Sequence, residues 1–183
     1  MGARQIGLLS TLVRKLRGLD VYTMARSAKG TLNSEIVEGF EATYVSTTET
    51  DVETLVEQVG KADLIVDATG SSAVAFDSMR HLGHNGVLVW TSVTGGDRRC
   101  EVSSDEVNMQ WVLGNKLLLG SVNANRTHFE AGIADLALGE VMYPGVAQRI
   151  LTNPVDGLEN YQELMRLLVE DKQALKVYMN VAQ

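Results

Sequence analysis

The sequence has little of the material typical of secreted or membrane proteins: its 183 residues include one cysteine, two prolines and no long apolar run. The single thiol, Cys100, excludes an internal disulfide and a multi-cysteine metal cage, and it fits a reducing compartment. No stretch approaches the roughly 20 consecutive apolar residues of a transmembrane helix, and residues 1–7 do not resemble a secretory signal. We therefore expect a soluble, cytoplasmic protein.

Positive charge is also scarce. The chain has 16 Lys and Arg residues against 23 Asp and Glu residues, which gives a formal net charge of -7. Such a charge repels polyanions, so neither nucleic acid nor a membrane surface is an expected partner. Any phosphate group must therefore be bound locally, by a few residues. The length suits one ordinary globular domain.

Helical and strand-like patterns alternate along the chain. Ile6, Leu9, Val13 and Leu16 follow one another at spacings of three and four, which predicts an amphipathic first helix. The predicted helices cover 5–16, 34–40 with Ser34 as N-cap, 51–59, 73–82, 105–113, 127–138 and 158–169. The predicted strands cover 19–25, 43–46, 62–67, 86–91, 116–122 and 174–181. This alternation predicts an α/β fold, a Rossmann-like doubly wound parallel sheet with helices on both faces.

Both ends of the chain depart from a complete doubly wound sheet. The sequence starts on a glycine pattern that normally follows a strand, so we expect the first, central strand to be lacking. From residue 152 onward the alternation stops, and the last strand, 174–181, reads as half-exposed. We therefore divide the chain into a Rossmann-like domain at 1–151 and a C-terminal helix-strand segment at 152–183. The last strand is expected to pair outside the α/β core, or to have lost its partner.

The segment Gly2-Ala3-Arg4-Gln5-Ile6-Gly7 opens the first helix. In a Rossmann-type fold this turn binds a dinucleotide pyrophosphate on the helix N-terminus, so Gly2, Arg4, Gln5, Ile6 and Gly7 are candidate cofactor-binding residues. The usual pattern is G-x-G-x-x-G, and Arg4 stands where the second glycine would let the backbone approach the phosphates. The close contact between backbone and phosphates is therefore either replaced by a contact from the Arg4 cation or lost. A helix that merely starts with glycine is the alternative.

The end of the next strand reads Ala25-Arg26-Ser27. NAD enzymes place an acid near here to bind the ribose 2′-hydroxyl, whereas NADP enzymes leave the position non-acidic and supply arginine. Arg26 and Ser27, with Lys29 as a further cation, would form a small cup for a 2′-phosphate. A solvated arginine after a strand is the alternative reading.

Three further strand ends are rich in small polar residues. They contribute the remaining cofactor-binding candidates, which are Thr69 and Gly70, then Ser92, Val93 and Thr94, and finally Ser121, Val122 and Asn123. Ligands of a doubly wound sheet lie outside the carboxyl ends of its strands, so these loops should face one crevice. The asparagine amides of the last group could pair with a carboxamide or a sugar hydroxyl. Plain turns, and N-capping of the next helix by Asn125, are the alternatives.

Other reactive residue types give weaker signals. His81 and His84 could share a helical face, but no third metal ligand is evident, and Gly83 is expected to end the helix between them. Asp67 lacks a visible base or nucleophile partner, so helix N-capping or a surface role is favoured over catalysis. For Cys100 a lone, partly buried thiol is favoured. We predict no catalytic residue and no metal ligand in this sequence.

Five segments, in order along nearly the whole chain, carry a family resemblance. They are 2–9 (GARQIGLL), 67–71 (DATGS), 85–88 (NGVL), 93–96 (VTGG) and 120–130 (GSVNANRTHFE). Together they resemble the C-terminal half of archaeal-type glucose 1-dehydrogenases, in the zinc-dependent medium-chain dehydrogenase/reductase superfamily. The first segment is shared across the superfamily, and the Val-Asn block followed by His-Phe is the discriminating one.

The resemblance implies that 1–151 is an NADP(H)-binding domain, with NAD as the other coenzyme used in the family. It implies that Thr69 and the Val93-Thr94 loop line the coenzyme crevice, and that Asn123 lies close to the nicotinamide and binds the sugar. The family's zinc ligands and most sugar-binding residues lie in a preceding catalytic domain, which this sequence does not contain. The segment 152–183 would pack on that domain.

The implied activity is that of an oxidoreductase of carbohydrate metabolism, which moves a hydride from C1 of glucose or a similar sugar to nicotinamide. This chain alone is expected to be inactive. Two alternatives stay open, a non-catalytic nucleotide-binding module and the cofactor half of another medium-chain alcohol or polyol dehydrogenase. Assembly into a homo-oligomer is also left open.

Overall fold

The computed structural model describes residues 1–171 and 174–181, so that 172–173 and 182–183 of the predicted C-terminal segment lie outside it. Its α-helices are α1 Gln5–Leu16, α2 Leu32–Gly39, α3 Val52–Val59, α4 Ser72–Asp77, α5 Ser104–Gly114, α6 Arg126–Met142 and α7 Tyr161–Glu170. Its strands are β1 Tyr22–Ala25, β2 Thr43–Ser46, β3 Ala62–Asp67, β4 Leu82–Trp90, β5 Leu117–Gly120, β6 Asn153–Asp156 and β7 Val177–Asn180. Short 3₁₀ helices cover Ser78–His81, Ala147–Ile150 and Leu158–Asn160.

All strand pairs of the described residues are parallel. β1 pairs with β2, β3 and β5 pair with opposite edges of β4, and β6 pairs with β7. Parallel strands need crossover connections, which α2, α4, α5 and α7 supply here between paired strands. The predicted parallel α/β class is confirmed. No helix within the described ranges is both long and apolar enough to span a bilayer.

The main hydrophobic core lies where α1 and α2 pack on β1 and β2. Its most buried members include Leu8, Leu12, Ile36, Phe40 and Tyr44, all less than 2% exposed. A smaller cluster of Ile65, Leu82 and Leu88 lies between β3, β4 and the helices beside them. The two clusters stabilise the two parallel sheets that carry the candidate site.

The buried face of α1 is not the one that the sequence pattern predicts. Ile6 and Leu9 are exposed, whereas Leu8, Thr11 and Leu12 are buried. The polar Thr11 can lie in the core because its hydroxyl donates to the Gly7 carbonyl at 2.9 Å and also lies within hydrogen-bond distance of another buried hydroxyl. Because a hydrogen-bonded hydroxyl carries little burial penalty, α1 can direct the face of Leu8, Thr11 and Leu12 toward the core.

The first two residues connect β1 to β3. The amine of Met1 donates to the Val66 carbonyl at 2.6 Å, and the Met1 carbonyl accepts from Ala68 N–H at 3.0 Å. On the other side, Gly2 N–H donates to the Met24 carbonyl at 2.8 Å. Beyond this link, a cavity of about 390 Å³ separates β1 from β3, and the described residues place no strand in it. This gap lies where the predicted fold lacks its central strand.

Three local predictions need correction. The N-cap of α2 is Thr31, and Ser34 is instead the third residue of that helix, where its hydroxyl and Thr31 form a reciprocal capping box. The helix predicted over 73–82 is α-helical only to Asp77 and then tightens to 3₁₀. The last strand, β7, has not lost its partner: it pairs with β6, a strand that the sequence pattern did not indicate, and this separate sheet lies outside the α/β core of 1–151, which was the other expectation.

The buried amine of Met1 makes stability depend on pH. Burial, and then the nearby Arg14, lowers the pKa of this amine from 8.0 to about 5. Between these values the unfolded chain binds a proton that the folded chain does not, so the free energy of unfolding should rise as the pH rises from about 5 to about 8. Urea unfolding of the 183-residue chain at both ends of this range measures the change, expected at a few kcal/mol, since one pKa unit is worth about 1.4 kcal/mol.

Acetylating the Met1 amine is the matched control, because an amide keeps one N–H donor but cannot bind the proton. The acetylated chain should lose most of the rise in stability. The same rise in both forms would show that other groups carry it.

Candidate nucleotide-binding site

The candidate site is built at the edge of the sheets where strands end. β1 ends at Ala25, β3 at Asp67, β4 at Trp90 and β5 at Gly120. Because paired strands are parallel, their carboxyl ends lie at one edge, which is where ligands of this architecture bind. The loops that follow these strands contain most of the cofactor-binding residues predicted from the sequence.

The glycine turn before α1 is packed too tightly for side chains. Gly2 has a φ of +91°, and a Cβ there would lie 2.9 Å from the Ala68 carbonyl oxygen. A Cβ on Gly7 would lie 1.9 Å from the Gly2 carbonyl oxygen. Both positions therefore require glycine, which lets the start of α1 press against the turn and against the loop after β3.

The start of α1 has the features of an anion-binding helix end. Arg4 is the N-cap but gives no side-chain capping bond to the helix, and the first turn has no acidic residue. The amide groups of a first helical turn lack partners inside the helix, and they carry partial positive charge. Arg4, Gln5 and Ile6 line a cavity of about 470 Å³ together with Ala68 and residues of α7 and β7.

Two side-chain amides fix the position of this turn. The Asn33 amide, from α2, donates to the Ala3 carbonyl, and the Gln5 amide donates to the Leu175 carbonyl in the C-terminal segment. The turn is thus tied to elements on two sides. Sequence reasoning missed Asn33, since nothing in its local pattern indicates a contact 30 residues away.

Asp67 organises two of the predicted loops. Its side chain is 2% exposed, and its carboxylate accepts from the Thr69 hydroxyl at 2.7 Å and from Thr69 N–H at 3.3 Å. Its carbonyl accepts from Thr91 N–H and from the Thr91 hydroxyl, at 3.0 and 2.8 Å. The preferred sequence reading, a helix N-cap or surface residue, is therefore wrong: Ser71 is the N-cap of α4, and Asp67 is buried.

A second contact joins the loop after β3 to the loop after β4. The hydroxyls of Ser72 and Thr94 lie 2.8 Å apart. Ser92 is half-buried, while Val93 and Thr94 are exposed, as are Thr69 and Gly70. The hydroxyl of Thr69 is engaged inside its own loop, since it donates to Asp67 and accepts from Ser71 N–H.

The two asparagines after β5 have separate roles. Asn125 caps α6, accepting from His128 N–H at 3.0 Å, so the capping alternative is confirmed for this residue. Asn123 is exposed, has a φ of +66°, and makes no hydrogen bond with the described part of the chain. Ser121 N–H donates to the Trp90 carbonyl, which extends the β4 pairing into this loop.

The loop after β1 carries two exposed cations. Arg26 and Lys29 make no hydrogen bond or ion pair with the residues that the structure describes, whereas most other arginines pair with carboxylates or carbonyls. Ser27 is half-buried between them, and its hydroxyl lies 2.7 Å from the Tyr44 hydroxyl. Two unpaired cations beside a hydroxyl suit a phosphate group.

The two histidines of the sequence pattern do not come together as a ligand pair. His81 is buried and lies 3.4 Å from the Asp77 carboxylate, while His84 is exposed in β4. Across residues 1–171 and 174–181, no group of three or more His, Cys, Asp or Glu side chains could hold a metal ion. Cys100 is exposed rather than partly buried.

Comparison with known proteins identifies the family of this chain. The family described as "Glucose dehydrogenase C-terminus" matches residues 1–177. The chain belongs to this family. The glucose 1-dehydrogenase of Methanocella arvoryzae is 37% identical over 175 residues, which are 92% of this chain and 49% of that protein. Glucose 1-dehydrogenase 1 of Caldivirga maquilingensis is 38% identical over 167 residues, which are 89% of this chain and 44% of that protein.

Solved structures of a glucose dehydrogenase share the fold. The crystal structure of the Haloferax mediterranei enzyme has a TM-score of 0.86 at 27% identity, and the match covers 100% of this chain and 50% of that one. The same enzyme in complex with NADP, Zn and gluconolactone also has a TM-score of 0.86, at 26% identity. The predicted Rossmann-like fold and the glucose dehydrogenase resemblance are confirmed. The chain spans about half the length of the curated relatives it matches.

The contacts of Asp67 predict a large effect of its removal. Asp67→Ala removes the carboxylate that accepts from the Thr69 hydroxyl and from Thr69 N–H, while the main-chain carbonyl that accepts from Thr91 stays, so the free energy of unfolding should fall by about 1–3 kcal/mol. Asp63→Ala is the matched control, because Asp63 is an exposed residue of the same strand and its loss should change stability by no more than about 0.5 kcal/mol. Urea unfolding measures both. Equal effects would mean that Asp67 has no special role.

Proposed function

We propose that this chain is the NADP(H)-binding half of a glucose 1-dehydrogenase. The observation that carries the proposal is the loop after β1, where Arg26 and Lys29 stand beside Ser27 without partners among the described residues, in a chain of net charge -7. A cation at this place favours the 2′-phosphate of NADP, just as an acid would favour NAD. Membership of the glucose dehydrogenase family supports the substrate class.

The proposed coenzyme contacts follow the loops in order. The 2′-phosphate lies at Ala25, Arg26 and Ser27, and the pyrophosphate lies at the turn of Gly2, Arg4, Gln5, Ile6 and Gly7. The crevice toward the nicotinamide is lined by Thr69, Gly70, Ser92, Val93, Thr94, Ser121, Val122 and Asn123. Asn123 is in addition the proposed sugar-binding residue, because its exposed amide is free to donate to and accept from sugar hydroxyls.

The features of the turn fit a dinucleotide. The first turn of α1 has no acidic residue that would repel a pyrophosphate, and the cations of the β1 loop have no partner to displace among residues of the described ranges. When bound, the coenzyme supplies the ring that accepts hydride. The role of this chain is to hold the nicotinamide ring in position, which lowers the entropic contribution to the activation barrier of hydride transfer.

The net reaction converts the sugar to its lactone. C1 of the sugar loses a hydride to the nicotinamide, and its hydroxyl loses a proton. The Haloferax mediterranei complex contains Zn, but among the described residues of this chain no cluster could hold a metal, so the donor set does not fit zinc. We therefore derive no step through a metal held by these residues.

Arg26→Ala tests the coenzyme assignment. Loss of one charge-assisted contact, worth about 1.5–3 kcal/mol, should weaken NADPH binding by about 10- to 100-fold and leave NADH binding nearly unchanged. Fluorescence titration of the 183-residue chain measures both dissociation constants. The unmodified chain should prefer NADPH, and equal affinity for the two coenzymes would refute the NADP assignment.

Arg80→Ala is the matched control. It removes the same charge from an exposed position just before β4, at the opposite edge of the sheet from the candidate site. The ratio of NADPH to NADH affinity should stay as in the unmodified chain. A similar drop in both variants would indicate a general effect of charge.

A turnover assay separates the proposal from its alternatives. With glucose, NADP and added zinc, the 183-residue chain should bind coenzyme but not reduce it, since the proposed residues only position the coenzyme. Glucose oxidation by this chain alone would contradict that assignment. When the chain is fused to the N-terminal half of a glucose 1-dehydrogenase, glucose oxidation supports the proposal. Turnover only with other alcohols or polyols favours a different medium-chain dehydrogenase, and binding without any turnover favours a non-catalytic module.

A further inference from the structure

Tyr44 is a buried residue that no step of the proposed function uses. It lies on β2, directly opposite Thr23 of β1, and it is 1% exposed. Its hydroxyl oxygen lies 2.7 Å from the carbonyl oxygen of Ser27 and 2.7 Å from the Ser27 hydroxyl. One phenol therefore holds both the main chain and the side chain of the residue next to Arg26.

The proton positions in this contact are constrained by chemistry. A phenol has one proton, and a carbonyl oxygen only accepts, so Tyr44 donates to the Ser27 carbonyl. The Ser27 hydroxyl must then donate its own proton to the Tyr44 oxygen. In this arrangement the Ser27 proton points into the protein, away from any anion in the loop.

A phosphate beside Ser27 would reverse this arrangement. Phosphate oxygens near neutral pH are mainly acceptors, so Ser27 can bind one only by turning its proton outward. Tyr44 can then donate its proton to the Ser27 hydroxyl oxygen instead, because both Ser27 oxygens are within 2.7 Å. The phenol thus keeps the serine partnered in either orientation.

Packing alone does not account for this phenol. The neighbouring core residue Phe40 is equally buried and has no hydroxyl. A phenylalanine at position 44 would fill almost the same volume, yet it would leave the Ser27 hydroxyl and carbonyl without their inner partner. The hydroxyl of Tyr44 therefore acts on the loop after β1 and not on the core.

We propose that Tyr44 is a positioning residue that sets the preference for a 2′-phosphate by orienting Ser27 beside Arg26. The inference rests on the proposed coenzyme site. Tyr44 does not touch the coenzyme: it fixes the serine main chain and lets the serine hydroxyl turn toward the phosphate. No covalent bond changes in this process.

Tyr44→Phe in the 183-residue chain tests the inference. Dissociation constants for NADPH and NADH are measured by fluorescence titration, and folding is checked by thermal unfolding. We expect NADPH binding to weaken by about two- to tenfold, the range that one hydrogen bond supplies. NADH has no 2′-phosphate, so its affinity should change by less than about twofold. An equal loss for both coenzymes, or no loss for either, would overturn the inference.

Two further variants complete the test. Tyr143→Phe deletes the same atom from a buried tyrosine that packs on Phe40, away from Ser27, and it should leave the NADPH to NADH ratio unchanged. Ser27→Ala breaks the contact from the exposed side and should lower NADPH affinity selectively, which keeps the test valid if Tyr44→Phe does not fold. An unchanged coenzyme ratio in Ser27→Ala overturns the inference.

The outcome for the unmodified chain separates the two proposals. If it prefers NADPH and Tyr44→Phe keeps that preference in full, the role of Tyr44 is wrong while the coenzyme assignment stands. If the unmodified chain binds both coenzymes equally, the NADP assignment fails, and the role of Tyr44 fails with it.

Discussion

The structure depends on the backbone hydrogen bonds of its first two residues. Met1 bonds to the Val66 carbonyl in β3 and to Ala68 N–H just after it, and Gly2 bonds to the Met24 carbonyl in β1. Backbone groups removed from water must find partners, and these two neighbouring residues find theirs on two different sheets. This link holds the turn that precedes α1. α1 in turn packs on the main core, which it forms with α2, β1 and β2. The loop after β3 and the loop after β1 are held in their relative positions by the same few bonds.

Buried polar groups then shape the loops that project from this frame. Asp67 and Tyr44 are both in strands, both are almost fully buried, and both direct their oxygen atoms at the loop residues that follow a strand. Since a buried polar group without a partner is costly, each loop is held in the conformation that supplies one. On the outer side, exposed Arg26 after β1 and exposed Asn123 after β5 have no hydrogen-bond partner among the residues that the structure describes. Rigid interior contacts with open exterior groups are what a ligand-positioning surface needs.

The sequence predicts those features that depend on neighbouring residues. The bounds of α1, β2 and β3 follow from apolar spacing and are observed as predicted. The sequence does not predict β6, whose residues 153–156 bury one valine and pair with a strand more than 20 residues later. It also misses the roles of Asp67 and Tyr44, because their partners are set by strand register and by burial, which local patterns do not contain. The role of Arg26 could be predicted from the sequence, because its position follows from the end of one predicted strand. Tyr44, which holds the residue next to Arg26, lies 18 residues further along the chain on another strand, so no local pattern indicates this contact.

The packing of the glycine turn limits how this segment can vary among related proteins. Any side chain at position 7 would meet the Gly2 carbonyl, and any side chain at position 2 would meet Ala68, so substitution is closed at both places. Position 4 differs, because Arg4 is exposed and its side chain does not cap the helix. The two glycines therefore leave the turn no room for a side chain at positions 2 and 7, so that its charge is supplied from position 4, at the start of α1.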